Sequence, residues 1–208
     1  QFVQDPWMVL RMWYPLQSLS KLCYTSWSDT RLFRDDIPNL PTILKAAGYR
    51  TGIIGKLHIN PADSFSFDFH EIKGANFQRK DIGDYATFAK QFISSSETPF
   101  FLSVNYPEAH DPWITQVDGI PKNPLTKDDV TPMPYMGVDS PALRQLVADY
   151  YNCISRLDSL VGDLLAVLEA SGKTENTIVI YLGDHGADML RGKRTCYEGG
   201  LRIPLMMK

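Results

Sequence analysis

The apolar residues Leu143, Leu146, Val147, Tyr150, Ile154, Leu157, Val161, Leu164, Leu165 and Leu168 recur at gaps of mostly three and four, which places them on one stripe of a single long helix. Ser140 and Pro141 stand where that helix begins and Gly172 where it ends. A hydroxyl can cap the first unpaired amides, proline loses no bond in a first turn, and glycine takes the left-handed turn that closes a last one. Residues 177–182 (TIVIYL) follow as an unbroken apolar run, the pattern of a strand in a parallel sheet covered on both faces. A long amphipathic helix leading into such a strand restricts the chain to an α/β architecture, with a mainly parallel sheet flanked by helices on both faces.

The remaining punctuation agrees. Asn39 and Pro41 open a short helix that stops at Gly48, and residues 51–54 read as a short buried strand. Asp84 reads as the cap of another helix bearing Tyr85, Phe88, Ala89 and Phe92 on one face, and residues 99–105 (PFFLSVN) as a further strand. Residues 106–137 carry six prolines and few apolar runs; a connection of that length in a compact domain usually serves function. Residues 1–36 stand apart, with three of the four tryptophans (Trp7, Trp13, Trp27) and no clear period.

Charge excludes some function classes. Twenty-four acidic against 21 basic residues leave a net charge of -3, so no overall field favours nucleic acid or an anionic membrane. Cys23, Cys153 and Cys196 are odd in number and far apart, the spacing of neither a disulfide framework nor a zinc knuckle. No run approaches the roughly 18 to 20 apolar residues of a membrane-spanning helix. The chain starts at Gln1 and stops at Lys208 directly after a strand-like run, so it reads as an internal piece of a longer protein.

Candidate chemistry gathers at strand ends. Of four histidines, His58, His110 and His185 each lie just beyond a predicted strand, the edge where open α/β sheets bind ligands. His70 lies in a Phe-rich stretch and reads as structural. Gly183-Asp184-His185-Gly186 sets a carboxylate beside an imidazole in a glycine-flanked turn, which suits a metal ion. The pair alone leaves the metal open among calcium, magnesium, manganese and zinc. Lys56 and His58 share one face of an extended segment, an arrangement that places a cation for an anionic group beside a proton carrier. Arg191, Lys193 and Arg194 form a basic cluster suited to an oxyanion.

These residues also carry a family resemblance. GYRTGIIGKLH at residues 48–58 resembles the sulfatase pattern G-Y-x-T-x-x-x-G-K-x-H; His110-Asp111-Pro112-Trp113 resembles that family's H-x-P segment; and GDHGADMLRGKRTCYEGGLRIP at residues 183–204 is similar to its D-[NH]-G...G-K...Y-E-G-G-x-R-x-P signature. Ile59-Asn60-Pro61 and Phe67-Asp68-Phe69 further resemble carbohydrate sulfatases related to heparan N-sulfatase. The likeness spans about residues 37–208, read as part of a sulfatase catalytic domain. Residues 1–36 read as a diverged or misread copy of the segment before it.

The resemblance implies an alkaline-phosphatase-like fold and hydrolysis of a sulfate ester or sulfamate, on a sulfated small molecule or glycan, by a formylglycine hydrate beside a calcium ion. Asp184 and His185 match the metal ligands, with calcium expected first and manganese second. Lys56 and Lys193 match the lysines that hold sulfate, His58 the histidine that helps collapse the sulfated hydrate, and His110 the one that assists the leaving oxygen. Tyr197, Glu198, Gly199, Gly200, Arg202 and Pro204 match scaffold positions. Such enzymes are periplasmic or secreted. The family's nucleophile run, C/S-x-P-S/A-R, does not occur in these 208 residues, so the chain by itself is expected to lack turnover. Two alternatives follow: a phosphodiester or phosphonate monoester hydrolase of the same superfamily, and a sulfated-glycan-binding module without catalysis.

Overall fold

A computed structural model describes residues 38–57, 59, 62–74, 77, 82–95 and 97–208. Residues 1–36 and His58 therefore lie outside the described residues. Helix α1 (Leu40–Ala46) opens as its sequence requires, with the Asn39 side chain accepting the Thr42 amide at 3.0 Å and Pro41 in the first turn. Strand β1 (Arg50–Gly55) follows and takes the centre of a three-stranded parallel sheet, between β2 (Phe69–Glu71) and β3 (Phe100–Asn105). Ile53 and Ile54 point to opposite faces of β1 and both are fully buried, as an unbroken apolar strand demands.

Two motif positions have a structural reason here. Asp68, at the entrance to β2, accepts the Thr51 amide at 2.8 Å and the Thr51 hydroxyl at 3.0 Å, and pairs with Lys45 at 2.8 Å. Desolvation pushes that carboxyl up, but Lys45 and the two Thr51 donors together hold it below its ordinary range. Thr51 and Asp68 thus fix the pairing of α1, β1 and β2.

Helix α2 (Asp84–Ser94) covers the sheet through Tyr85 and Ala89, which share a core with Ile54 of β1 and with Leu157 and Leu160 of the long helix α3 (Pro141–Ala170). The expected caps of α3 are present: Ser140 Oγ accepts the Leu143 amide at 3.2 Å, and Gly172 turns at φ +71°. The expected cap of α2 is not. Gly83 occupies that position without a side-chain bond, and Asp84 is the first helical residue, where its charge opposes the positive end of the helix dipole.

Helix α3 buries two polar residues within its apolar stripe. Arg156 Nε donates to Glu108 Oε1 at 2.6 Å with both side chains fully buried, and its guanidinium also donates to the Ile114 and Ile120 carbonyls. One turn earlier, Asn152 accepts the Leu125 amide at 2.7 Å and donates to the Leu125 carbonyl at 2.9 Å. Residues 106–137 are thereby fastened along the helix, and Val130 and Met136 complete a second small core with Leu143, Val147 and Ala148.

The last strands depart from expectation. Only Ile180–Leu182 of the run TIVIYL forms a strand, β4, and it pairs antiparallel with β5 (Leu205–Met207) apart from the parallel sheet. Tyr181 and Val179 pack on the cores built by α2 and α3, whereas Ile178 and Ile180 are exposed by 74% and 51%. The run is uniformly apolar in sequence but half-buried in space, with the alternation of a one-sided strand. Short helix α4 (Glu198–Leu201) lies in the turn that reverses the chain between β4 and β5. Among the described residues, no helix is long and apolar enough to cross a membrane.

Candidate active site

The parallel pairing of β1 with β3 brings Gly55 opposite Asn105, so the segments bearing Lys56 and His110 leave the sheet at one edge. Gly55 sits at φ +102°, and a side chain there would run into the Asn105 carbonyl; the crossing therefore requires glycine. Asn105, 2% exposed, donates from Nδ2 to the Lys56 carbonyl at 2.9 Å, while its Oδ1 accepts the Ser103 hydroxyl at 3.1 Å and its carbonyl accepts the Tyr85 hydroxyl at 3.3 Å. The Lys56 backbone is set by these bonds. His70 is structural as expected, with Nε2 at 3.3 Å from the Gly55 carbonyl, and burial lowers its pKa.

His110 Nδ1 lies 2.7 Å from the Asp111 carbonyl and 3.1 Å from Asp111 Oδ1. A carbonyl only accepts, so the Nδ1 proton is assigned and Nε2 is the lone-pair nitrogen of the neutral ring. Phe77, which the sequence did not single out, stacks on this ring with centroids 3.9 Å apart and planes at 8°. The Lys56 ammonium lies 5.1 Å from the centre of the same phenyl ring. One aromatic side chain thus joins two candidate site residues.

Asp184 and His185 follow β4 directly. Asp184 is 4% exposed, accepts the His185 amide on Oδ1 at 2.9 Å, and sets Oδ2 3.3 Å from His185 Nε2. His185 Nδ1 lies 2.9 Å from the Gly186 carbonyl, so the same argument puts a proton on Nδ1 and makes Nε2 the second acceptor beside Asp184. Two acceptors at that separation call for a cation or proton between them. Burial pushes the Asp184 carboxyl above its ordinary range, against the opposing pull of His185. The donor pair therefore fits a divalent cation. It is not a complete shell, because no group of three or more His, Cys, Asp or Glu suited to a metal occurs among the described residues.

The segment after Asp184 is held by backbone packed on backbone. The Gly186 amide donates to the Gly200 carbonyl at 3.1 Å, and a side chain at Gly186 would overlap the Gly199 carbonyl. This explains why a loop bearing Lys193 is punctuated by glycine. The Lys193 amide donates to the Ala187 carbonyl at 2.7 Å, and its ammonium lies 3.9 Å from Asp188 Oδ2, which also accepts from Arg194 at 2.9 Å. Arg191 reaches instead to the Tyr135 carbonyl at 2.9 Å and lies over the Tyr197 ring. The basic cluster is thus divided, with Lys193 and Arg194 at Asp188 and Arg191 turned to Tyr135 and Tyr197.

The architecture is α/β, with candidate site residues following strands β1, β3 and β4. A model of the sulfatase family matches residues 16–208, and the chain belongs to that family. Among relatives, human N-sulphoglucosamine sulphohydrolase is 30% identical over 195 residues, covering 83% of this chain and 39% of the relative. An ulvan-active sulfatase of Formosa agariphila is 31% identical over 132 residues, covering 64% of this chain and 18% of the relative. The chain thus spans well under half the length of these relatives. A structure solved in complex with its substrate D-glucosamine-2-N,6-O-disulfate superposes with a TM-score of 0.61 at 17% identity, covering 87% of this chain and 57% of that one; at that identity it supports the fold.

Proposed function

We propose that this chain forms the anion-holding and proton-transferring part of a site that hydrolyses sulfate esters or sulfamates on carbohydrate. The observation that carries the reading is the pairing of Gly55 with Asn105, which delivers Lys56 and His110 to one sheet edge. In this reading Lys56 and Lys193 hold the sulfate oxygens and neutralise charge that grows on them in the transition state. His110 enters this step as the imidazolium, with its Nδ1 proton donated to the Asp111 carbonyl, and gives the Nε2 proton to the leaving oxygen or nitrogen, ending as the neutral ring. His58 has the companion role of proton carrier beside Lys56. Asp184 and His185 hold a divalent cation, calcium before manganese, because the shell that the family resemblance implies is mostly oxygen, with His185 adding one nitrogen, and such a shell favours the harder ion. When bound, that cation supplies positive charge at the reacting centre.

No C/S-x-P-S/A-R run exists in the sequence, so no nucleophilic step is assigned to any residue of this chain. The sulfated-sugar assignment draws support from the names of the N-sulphoglucosamine and ulvan relatives and from the glucosamine disulfate in the solved neighbour. The test is hydrolysis of N-sulfated glucosamine and an aryl sulfate by the whole protein, with chelation and calcium add-back. Loss on chelation and recovery with calcium is expected. Turnover that survives exhaustive metal removal, or that is unchanged in Lys56→Ala and His110→Ala, overturns the reading. Binding of the sulfated sugar without turnover by the whole protein would favour the non-catalytic module, and preference for a phosphodiester would favour the other hydrolase.

A further inference from the structure

Phe77 lies outside all three sulfatase-like motifs, yet its ring stacks on His110 and lies beneath the Lys56 ammonium. We propose that Phe77 is a positioning residue, which holds the Lys56 ammonium and the His110 imidazole in one mutual arrangement so that both act on the same bound group. The inference rests on the sulfate-hydrolysing reading of those two residues.

Two constraints define the orientation of an imidazole: a hydrogen bond in its plane and a contact on its face. The Asp111 carbonyl supplies the first at 2.7 Å, and the Phe77 ring supplies the second at 3.9 Å with planes at 8°. Together they fix the direction in which Nε2 points. Lys56 has a different need, since Asn105 holds its backbone while its ammonium stands at the end of a long, flexible four-carbon stem. The negative face of an aromatic ring attracts an ammonium within about 6 Å, and the 5.1 Å separation meets that limit. A leucine would fill similar space but offers neither a flat surface nor a quadrupole. The same ring therefore sets both the proton carrier and the anion holder.

The experiment has a spectroscopic arm and a kinetic arm. In the parent chain the His110 ring protons, lying over a phenyl face, should resonate upfield; Phe77→Leu should abolish that displacement and Phe77→Tyr should retain it. In the whole protein, Phe77→Leu should lower kcat/KM for an aryl sulfate by about 10- to 100-fold, the range expected of a small misplacement of catalytic groups, with Phe77→Tyr close to the parent. In a His110→Ala background the further cost of Phe77→Leu should shrink to the part that acts through Lys56, because residues acting through one another are non-additive. Full activity of Phe77→Leu, or a loss that adds in full to that of His110→Ala, overturns the inference while leaving the reading of the site intact, provided Lys56→Ala and His110→Ala are themselves impaired. If those two single variants keep parent activity, the reading of the site fails and the inference falls with it, whatever the spectra show of the stack.

Discussion

The Lys56–His110 edge and the Asp184–Gly200 segment carry comparable chemistry on different kinds of support. The first is set by strand pairing and by buried side chains, Asn105 and Tyr85 among them, that belong to the main core. The second is set by main chain packed on main chain around Gly186 and Gly200, after a strand whose outer residues are exposed. A group placed by the core shares the stability of the whole domain, whereas a group placed by a peripheral turn can be lost through local opening. The two halves of the proposed site should therefore fail separately.

The largest effect should come from removing the support beneath the first half. Arg156→Met removes the guanidinium that faces the buried Glu108 carboxylate, a change that costs about 3–5 kcal/mol; urea denaturation should show it across the whole domain, and a loss under 1 kcal/mol, on the order of a surface pair, would mean that other groups hold Glu108. Gly55→Ala should come next. Its positive φ alone costs about 1–3 kcal/mol for a side chain, and the overlap with Asn105 adds to it, so the global midpoint should fall.

Gly186→Ala provides the contrast. It meets an equally unyielding carbonyl, but in the peripheral segment, so calcium binding measured by calorimetry should be lost while the urea midpoint moves less than in Gly55→Ala. Equal shifts in midpoint would erase the distinction between the two halves. The smallest effect concerns pH. Burial holds the Asp184 carboxyl above its ordinary range; a raised folded-state pKa gives stability that is fully present below the unfolded value and lost as pH rises through the folded one. In cation-free buffer Asp184→Asn should thus be slightly more stable than the parent at about pH 7, with the advantage fading as the pH falls through the raised folded-state value and gone below the ordinary value of 3.8. Calcium should reverse the order by stabilising the parent alone, and thermal melts at several pH values would show both trends.

Much of the fold was legible because its signals are local. Ser140, Pro141 and Gly172 delimit α3 through bonds within one turn, and Asn39 does the same for α1. The pairing of β4 was hidden, since TIVIYL reads as uniformly apolar and nothing within it declares that the turn through Tyr197–Gly200 will return β5 antiparallel to it. Asp184, His185, Lys56 and His110 were visible as charged or ionisable residues after apolar runs. Phe77 was not, because a phenylalanine in an aromatic-rich stretch gives no sign of which rings it will meet. Asn152 and Arg156 did leave a trace: two polar residues at i, i+4 on the stripe of a long helix are costly to bury without partners, and that spacing marks where the neighbouring loop is tied.

Beyond the Glu108 side chain, which Arg156 grips close to His110, Asn152 and Arg156 hold that loop by main-chain atoms, the amide and carbonyl of Leu125 and the carbonyls of Ile114 and Ile120. Such a grip is blind to the identity of the residues it holds. Segments between the three tie points are therefore open to exchange, by drift or by grafting, without loosening the end that carries His110, and the helix serves as a fixed rail on which recognition loops of different composition can be mounted.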